Sequence, residues 1–476
     1  MGHYQPLLPD LILAMGATFI LLLGPLRDSQ NLRDFLRWIS LGLVAATAAT
    51  LVWVNHGMAT PYPLVGEGWL TTAPLHTAFA VVFLATIAWT ILASTVPDED
   101  AGEWYSMLLF LGTGMIILAR AANLAAVFLG LEVLSISLYI LIAFRYSKRS
   151  SLRGGIMYLL LAGFASGFLL FGMALIYAVF GTLQIAEIRT LALATDMGPM
   201  AKVGFGLLLV GVGFKLAAVP FHMWTPEVYE SSPGTVTGLI ASSSKGAMLA
   251  AFIPFLFLLE THWSIIWLFA ALSMVGGNLL GLREIRVKRI LAYSSIAHIG
   301  YVLTGYLAGD TLSANAAFLP SITGVNAVFF YVVAYAASIL GAFAALGYIQ
   351  GERDLTLRDL RGVGRRNPVL AFCLLIFVWS LAGLPPAVGF FGKIYLFSAA
   401  INAGYFWLPL IGLLGSAIGI YYYLRIIVHL FMMPADASDP KVHASTLQEW
   451  VMLGSAVAVI ALGLFPETIF SFLRAF

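Results

Sequence analysis

Five charged residues stand inside apolar runs long enough to cross a bilayer, and most are of types that hold and pass protons. Glu132 lies in NLAAVFLGLEVLSISLYIL, Lys215 in VGFKLAAVPF, Lys245 in LIASSSKGAMLAAF, Lys393 in LPPAVGFFGKIYLF and Arg425 in IYYYLRIIVHL. At the centre of a spanning helix each costs at least about 2.5–3.5 kcal/mol unless paired or hydrated, so such residues mark ion paths. An amine taken out of water gives up its proton more readily, and a nearby carboxylate holds that proton in place. A Lys–Glu pair whose separation changes is therefore a proton switch. His298, in SSIAHIGY, adds an imidazole, which titrates near neutrality without tuning.

Helix rise turns spacing into depth. Glu132 stands 12 residues after Arg120, about 18 Å, and Lys215 stands 13 after Lys202, about 20 Å. The two are predicted to share a depth and to face each other, directly or through one water. Lys245 falls about 11 residues into its run and His298 about eight into its own, so both join a central layer. Such a row would pass protons sideways through bridging waters. Lys393 follows Pro385 and Pro386, toward the outer side, where carbonyls freed by a helix break can hold water. Arg425 reads as a packing residue near an inner helix end. His222, in PFHMW, is a secondary candidate beside Pro220, while His76 and His429 read as structural. Tyr421, Tyr422 and Tyr423 read as interface anchors.

The elements that position these groups follow from composition. The chain has 476 residues, 61% hydrophobic and 10% charged, against about 25% charged in a soluble domain. Its surface must be covered by lipid. A spanning helix needs about 20 apolar residues, and fourteen runs qualify: 6–24, 36–54, 73–95, 104–119, 121–144, 155–180, 203–225, 234–258, 263–282, 290–308, 320–349, 369–401, 405–433 and 450–472. The seventh holds Pro220; the twelfth is too long for one straight helix and holds Gly383, Pro385, Pro386 and Gly389. These breaks lie five helices apart. A five-helix unit repeated once must invert, so helices 4–8 and 9–13 read as an inverted repeat with broken helices 7 and 12, a transporter signature. The predicted fold is all-α and membrane-embedded: helices 1–3 over 1–103, the first repeat over 104–262, the second over 263–433, then a cytoplasmic loop and helix 14 over 434–476.

Basic residues crowd the odd loops: Arg27, Arg33 and Arg37; Arg145, Lys148, Arg149 and Arg153; Arg283, Arg286, Lys288 and Arg289; Arg353, Arg358, Arg361, Arg365 and Arg366. Even loops hold Arg120, Arg189 and Lys202. Odd loops are then cytoplasmic and both termini lie outside. The acidic stretch PDEDAGE, 97–103, is also placed inside. The N-terminus lacks a basic region and a cleavage site, so no cleaved signal peptide is expected.

A net charge of +2 argues against nucleic-acid binding. The single cysteine, Cys373, reads as a core residue and excludes an internal disulfide, a Cys-ligated iron–sulfur cluster and a Cys-rich zinc site. No metal or cofactor site is expected. There is no Walker loop and no dinucleotide fingerprint, and the eight scattered histidines offer no haem ligand pair. Redox centres, if the chain serves them, must lie in partners.

Three stretches carry a resemblance: GFKLAAVPFHMWTPEVYESSPGTVTGLIASSSKGAM at 213–248, KRILAYSSIAHIGY at 288–301, and SLAGLPPAVGFFGKIYLF with GSAIGIYYYLRI between 380 and 426. They resemble the antiporter-like membrane subunits of proton-pumping NADH:quinone oxidoreductase, respiratory complex I, and among these the subunit N branch. Lys393, where the middle subunit usually has Glu, points to that branch. The run SSPGTVTG at 231–238 departs from the family, which usually has a further Ala and Pro there. The resemblance implies that Glu132, Lys215, Lys245 and Lys393 are the family's proton-path residues. It implies other membrane-arm subunits and the lipid bilayer as partners, with NADH, FMN, iron–sulfur clusters and quinone in partner subunits of a bacterial cytoplasmic-membrane complex. A multisubunit sodium/proton antiporter subunit shares the core and is the alternative; a structural subunit whose charges only hold helices together is the second.

Overall fold

In hydrocarbon every backbone polar group must be satisfied within the chain, and a sequence apolar on all sides does this by forming helices. The computed structural model describes residues 2–26, 32–57, 68–97, 99–194, 197–310, 322–350, 354–434 and 444–476. Arg27, Asp98 and Arg353 lie outside them. Among the described residues there are helices and three isolated bridges, with no named strand. In chain order the α-helices are α1 Leu8–Leu23, α2 Leu32–Gly57, α3 Pro74–Ala93, α4 Ala101–Ala119, α5 Leu124–Ala143, α6 Arg149–Phe180, α7 Ile185–Ala194, α8 Pro199–Leu216, α9 Thr225–Ser231 and α10 Gly234–Leu239. There follow α11 Lys245–Phe252, α12 Leu259–Arg283, α13 Val287–Leu307, α14 Gly324–Gln350, α15 Val363–Arg366, α16 Pro368–Ala382, α17 Val388–Asn402, α18 Trp407–Phe431, α19 Thr446–Leu464 and α20 Glu467–Arg474.

Thirteen spans among the described residues are long and apolar enough to cross a membrane, α10 and α11 counting as one. The seventh run, read over 203–225, is helical only to Leu216; Ala217 then takes a positive φ of 60°, and an irregular turn through Pro220 leads to α9. The twelfth run becomes two 15-residue helices, α16 and α17. Gly383 turns the chain between them at φ 79°, a conformation open to glycine. Asn367 caps the start of α16 and Asn123 that of α5, each side chain accepting a backbone N–H. Between α10 and α11 the ladder widens to a π-helical turn, Ile240–Ser244, directly before Lys245.

The chain forms two compact units. One comprises Met1–Lys215, Ser243–Phe257 and Phe472–Phe476; the other comprises Leu216–Ser242 and Leu258–Ser471. The chain leaves the first unit immediately after Lys215 and returns two residues before Lys245.

Inside the first unit α4 packs on α1, α3 and α5. At the α4–α5 crossing a Cβ on Gly114 would lie 2.5 Å from the Leu134 backbone nitrogen, so only glycine permits this approach. The crossing fixes α5, and with it Glu132. In contrast, α6 exposes Leu159, Leu160, Phe164 and Phe171, which suits contact with lipid chains. Arg120, read as a loop charge, is instead 1% exposed: its guanidinium pairs with Asp10 of α1 and donates to the Pro6 carbonyl. This buried pair ties the first helix to α4. Asp10→Ala is expected to strand the cation and cost about 3–5 kcal/mol. A lowered Tm of the membrane-embedded chain checks it; an unchanged Tm sinks it.

Within the second unit α13 packs on α9, α12, α14, α17 and α18, and its span is 94% buried. Its polar face therefore meets other side chains, not lipid. At one end Lys288 donates to the Ser232 carbonyl at 2.7 Å, and Arg286 and Arg289 pair with Glu230. The hydrogen bond to Glu230 raises the pKa of Arg286 further, so this anchor stays charged.

Candidate functional site

In the first unit the site is built on α5, α6 and the end of α8. Glu132 is half-buried on α5 and accepts from Ser166 of α6 at 2.6 Å. Lys215 is 4% exposed in the last turn of α8. Its ammonium donates to Ser135 and Tyr158, each at 3.0 Å, and lies 5.4 Å from the Tyr158 ring centroid. No direct ion pair joins Glu132 to Lys215 among the described residues. Lys215 reaches α5 three residues beyond Glu132, about 4.5 Å along the axis and on the same helix face. Both side chains thus face the α5–α6 wall, one turn apart and held by hydroxyls. Hydroxyls both donate and accept, so this lining serves an ammonium and a neutral amine alike.

Lys245, 2% exposed, begins α11 straight after the π-helical turn. Such turns re-aim side chains and gather at functional sites. The turn itself is anchored: Ser243 donates to Thr86 of α3 at 2.7 Å.

In the second unit His298 is 4% exposed on α13. Its Nδ1 meets the Tyr331 hydroxyl at 2.7 Å and its Nε2 meets that of Tyr423 at 3.1 Å. The rings of Tyr301 and Tyr335 flank it at 5.4 and 4.8 Å. Tyr422 and Tyr423 are therefore not interface anchors: both are buried, and only Tyr421 is exposed. Their hydroxyls have partners inside the helix packing, which neither run length nor hydropathy reveals.

Lys393 is buried on α17 and turns back over the helix break. It donates to the carbonyls of Leu381 at 3.3 Å and Ala382 at 3.0 Å and to Ser416 at 2.7 Å, with the Tyr301 ring centroid 5.0 Å away. The last carbonyls of α16 lack helical partners and form the negative end of its dipole. The ammonium itself donates to these freed carbonyls. Pro385 and Pro386 shape this break, and Trp379 closes it by donating to the Pro385 carbonyl at 2.9 Å. Pro220 and the half-buried His222 lie in the turn between α8 and α9. Arg425 donates to the carbonyls of Leu282 and Glu284, capping the end of α12. His76 and His429 bond backbone carbonyls of Ala119 and Arg425. Among the described residues no group of three or more His, Cys, Asp and Glu is placed to hold a metal.

The comparisons with known proteins fall on this core. A sequence profile for the membrane region of the NADH:quinone oxidoreductase/Mrp antiporter family matches residues 121–419. NADH-quinone oxidoreductase subunit N of Trichlorobacter lovleyi is 36% identical, covering 98% of this chain and 95% of that one. The chain belongs to the NADH-quinone oxidoreductase subunit N family. The subunit N of Geobacter metallireducens is 38% identical and covers 98% of each chain. Among solved structures, a chain of respiratory complex I from Thermus thermophilus superposes with a TM-score of 0.81 at 29% identity, covering 98% of this chain and 99% of that one. A chain of an archaeal membrane-bound sulfane sulfur reductase reaches 0.84 at 25% identity, covering 98% and 96%. A chain of the Mrp complex from Dietzia sp. shares the fold at 0.80. Glu132, Lys215, Lys245, His298 and Lys393 all lie within the stretch that matches the family profile. The tyrosines around His298 and the hydroxyls around Lys215 escaped sequence reasoning, because a polar residue on a helix looks alike whether it lines a site or caps its own turn.

Proposed function

We propose that this chain is a proton-translocating membrane-arm subunit of a NADH:quinone oxidoreductase of the complex I type, and that its protons are carried by Glu132, Lys215 and Lys245 in the first unit and by His298 and Lys393 in the second. The observation that carries the reading is the position of the three lysines in a chain of the subunit N family: each is buried at a helix break or π-helical turn, and Lys215 and Lys393 donate to hydroxyls there. Helices 4–8 and 9–13 form two inverted repeats, and the lysines belong to their irregular members. NADH, FMN, iron–sulfur clusters and quinone work in partner subunits, and quinone reduction there drives the charge changes here. The chain crosses the bacterial cytoplasmic membrane many times, with both termini outside. Near-full-length likeness to subunit N favours this reading over a sodium/proton antiporter subunit.

The test is Lys245→Ala in the assembled complex in vesicles. Proton pumping and NADH-driven quinone reduction are expected to fall together, by about tenfold or more, with the ~10²-fold contribution of a positioned acid or base as the scale. Normal pumping with the subunit present removes Lys245 from the path. Sodium-driven exchange without any NADH-oxidising arm would establish the antiporter instead.

A further inference from the structure

We propose that Asn278 is a positioning residue that holds apart two proton-conducting arms in the second unit, one ending at Lys393 and one at His298. The inference rests on the reading above. Lys393 donates to Ser416 at 2.7 Å and its ammonium lies 5.0 Å from the Tyr301 ring centroid, while the Tyr301 hydroxyl accepts from Asn278 Nδ2 at 3.1 Å. From His298 the contacts run to Tyr423 and on to Ser294; the Tyr422 ring lies beside that of Tyr423, centroids 4.6 Å apart, and Tyr422 donates to Asn278 Oδ1 at 2.9 Å. Among the polar side chains set between the lysine and the histidine here, all carry hydroxyls except Asn278.

That exception decides the behaviour. A hydroxyl can accept a proton on one lone pair and release its own to the next partner. An amide that took a proton on Oδ1 would have to lose one from Nδ2, leaving an imidic acid that must rearrange before the next transfer. Asn278 therefore connects the arms by hydrogen bonds and interrupts them for protons. It cannot turn over to escape this role: Nδ2 also donates to the Met274 carbonyl at 2.7 Å, and a carbonyl only accepts. Asn278 is 1% exposed, and the facing helix α18 is cut away for it. A Cβ on Gly415 would stand 2.9 Å from Nδ2, and one on Gly419 2.9 Å from Oδ1. The amide occupies a fitted space with both ends committed. It keeps Lys393 and His298 loaded independently and prevents protons from running back between them.

Passive proton flux tests this, measured without NADH in vesicles holding the assembled complex under an imposed membrane potential. In Asn278→Asp a carboxyl replaces the amide; one oxygen takes a proton from the Tyr422 side as the other releases one to Tyr301. Flux is expected to rise about tenfold or more, within what a positioned acid supplies. Adding Lys393→Met to the same chain is expected to abolish the rise, which a merely loosened fold would not do. Asn278→Leu, with no group to take or give a proton, is expected to keep the vesicles tight. Wild-type flux in Asn278→Asp overturns the proposal, as does an equal rise in Asn278→Leu. Where Asn278→Asp does not assemble, Asn278→Ser carries the same expectation through its two-way hydroxyl, and wild-type flux there overturns it equally. Normal NADH-driven pumping in a chain carrying both Lys393→Met and His298→Gln would instead remove the proposed function itself.

Discussion

Replacing Lys215 by methionine is expected to lower NADH-driven proton pumping about tenfold or more, and Glu132→Gln is expected to lower it comparably. Methionine keeps the length and apolar stem of the lysine and removes the exchangeable protons, so a loss reports on the charge and not on packing. Tenfold is a lower bound, set below the ~10²–10⁴ that a positioned acid or base contributes. The two residues should also be coupled. Lys215 is held by Ser135, three residues along α5 from Glu132, and Tyr158 and Ser166 of α6 hold the two side chains from the other side. The carboxylate and the ammonium attract each other across this short wall, and the hydroxyls can serve either form of the lysine. Removing both charges should therefore cost less than the product of the two separate losses. The measurement is a double-mutant cycle on pumping, with subunit incorporation verified. Independent, multiplying effects would show that the pair does not act as one switch.

Lys393→Met is expected to reduce pumping to a similar degree and, unlike Lys215→Met, to destabilise the subunit. The ammonium satisfies the terminal carbonyls of α16 inside the membrane. Without it those acceptors lose partners at a cost of about 1–3 kcal/mol for each group left bare. Two readouts separate the roles: pumping per NADH oxidised, and the Tm of the purified complex. A second variant probes the same contact without touching the charge. A Cβ on Gly383 would lie 2.8 Å from Lys393 Nζ, at a φ of 79° that alanine adopts poorly. Gly383→Ala is thus expected to push the ammonium off the helix end and to lower pumping, with Lys393 still present. Full pumping and an unchanged Tm in both variants would remove Lys393 from the path and from the support of the break.

The all-helical, membrane-embedded character of the chain and the burial of its lysines were legible in the chain itself. Long continuous apolar runs in a 61% hydrophobic sequence satisfy their backbones in lipid as helices, and the cost of a charge in hydrocarbon makes each buried Lys and Glu conspicuous. Pro220 and the cluster of Gly383, Pro385, Pro386 and Gly389 likewise located the two breaks, because proline removes a donor and glycine opens φ. The partners of those residues were not legible. Spacing along one helix fixes depth and face, but not which neighbour stands opposite, so Glu132 and Lys215 could be placed at similar depths and not assigned to Ser166, Ser135 and Tyr158. Tyr422 and Tyr423 share a sequence pattern with interface tyrosines, and only the packing of α18 against α12 and α13 turns their hydroxyls inward to Asn278 and His298. Arg120 looked like a loop charge until α1 brought Asp10 against it, across 110 positions of chain. Burial cost is a property of one residue and can be read from sequence; a hydrogen bond belongs to two, and only tertiary packing decides which two meet.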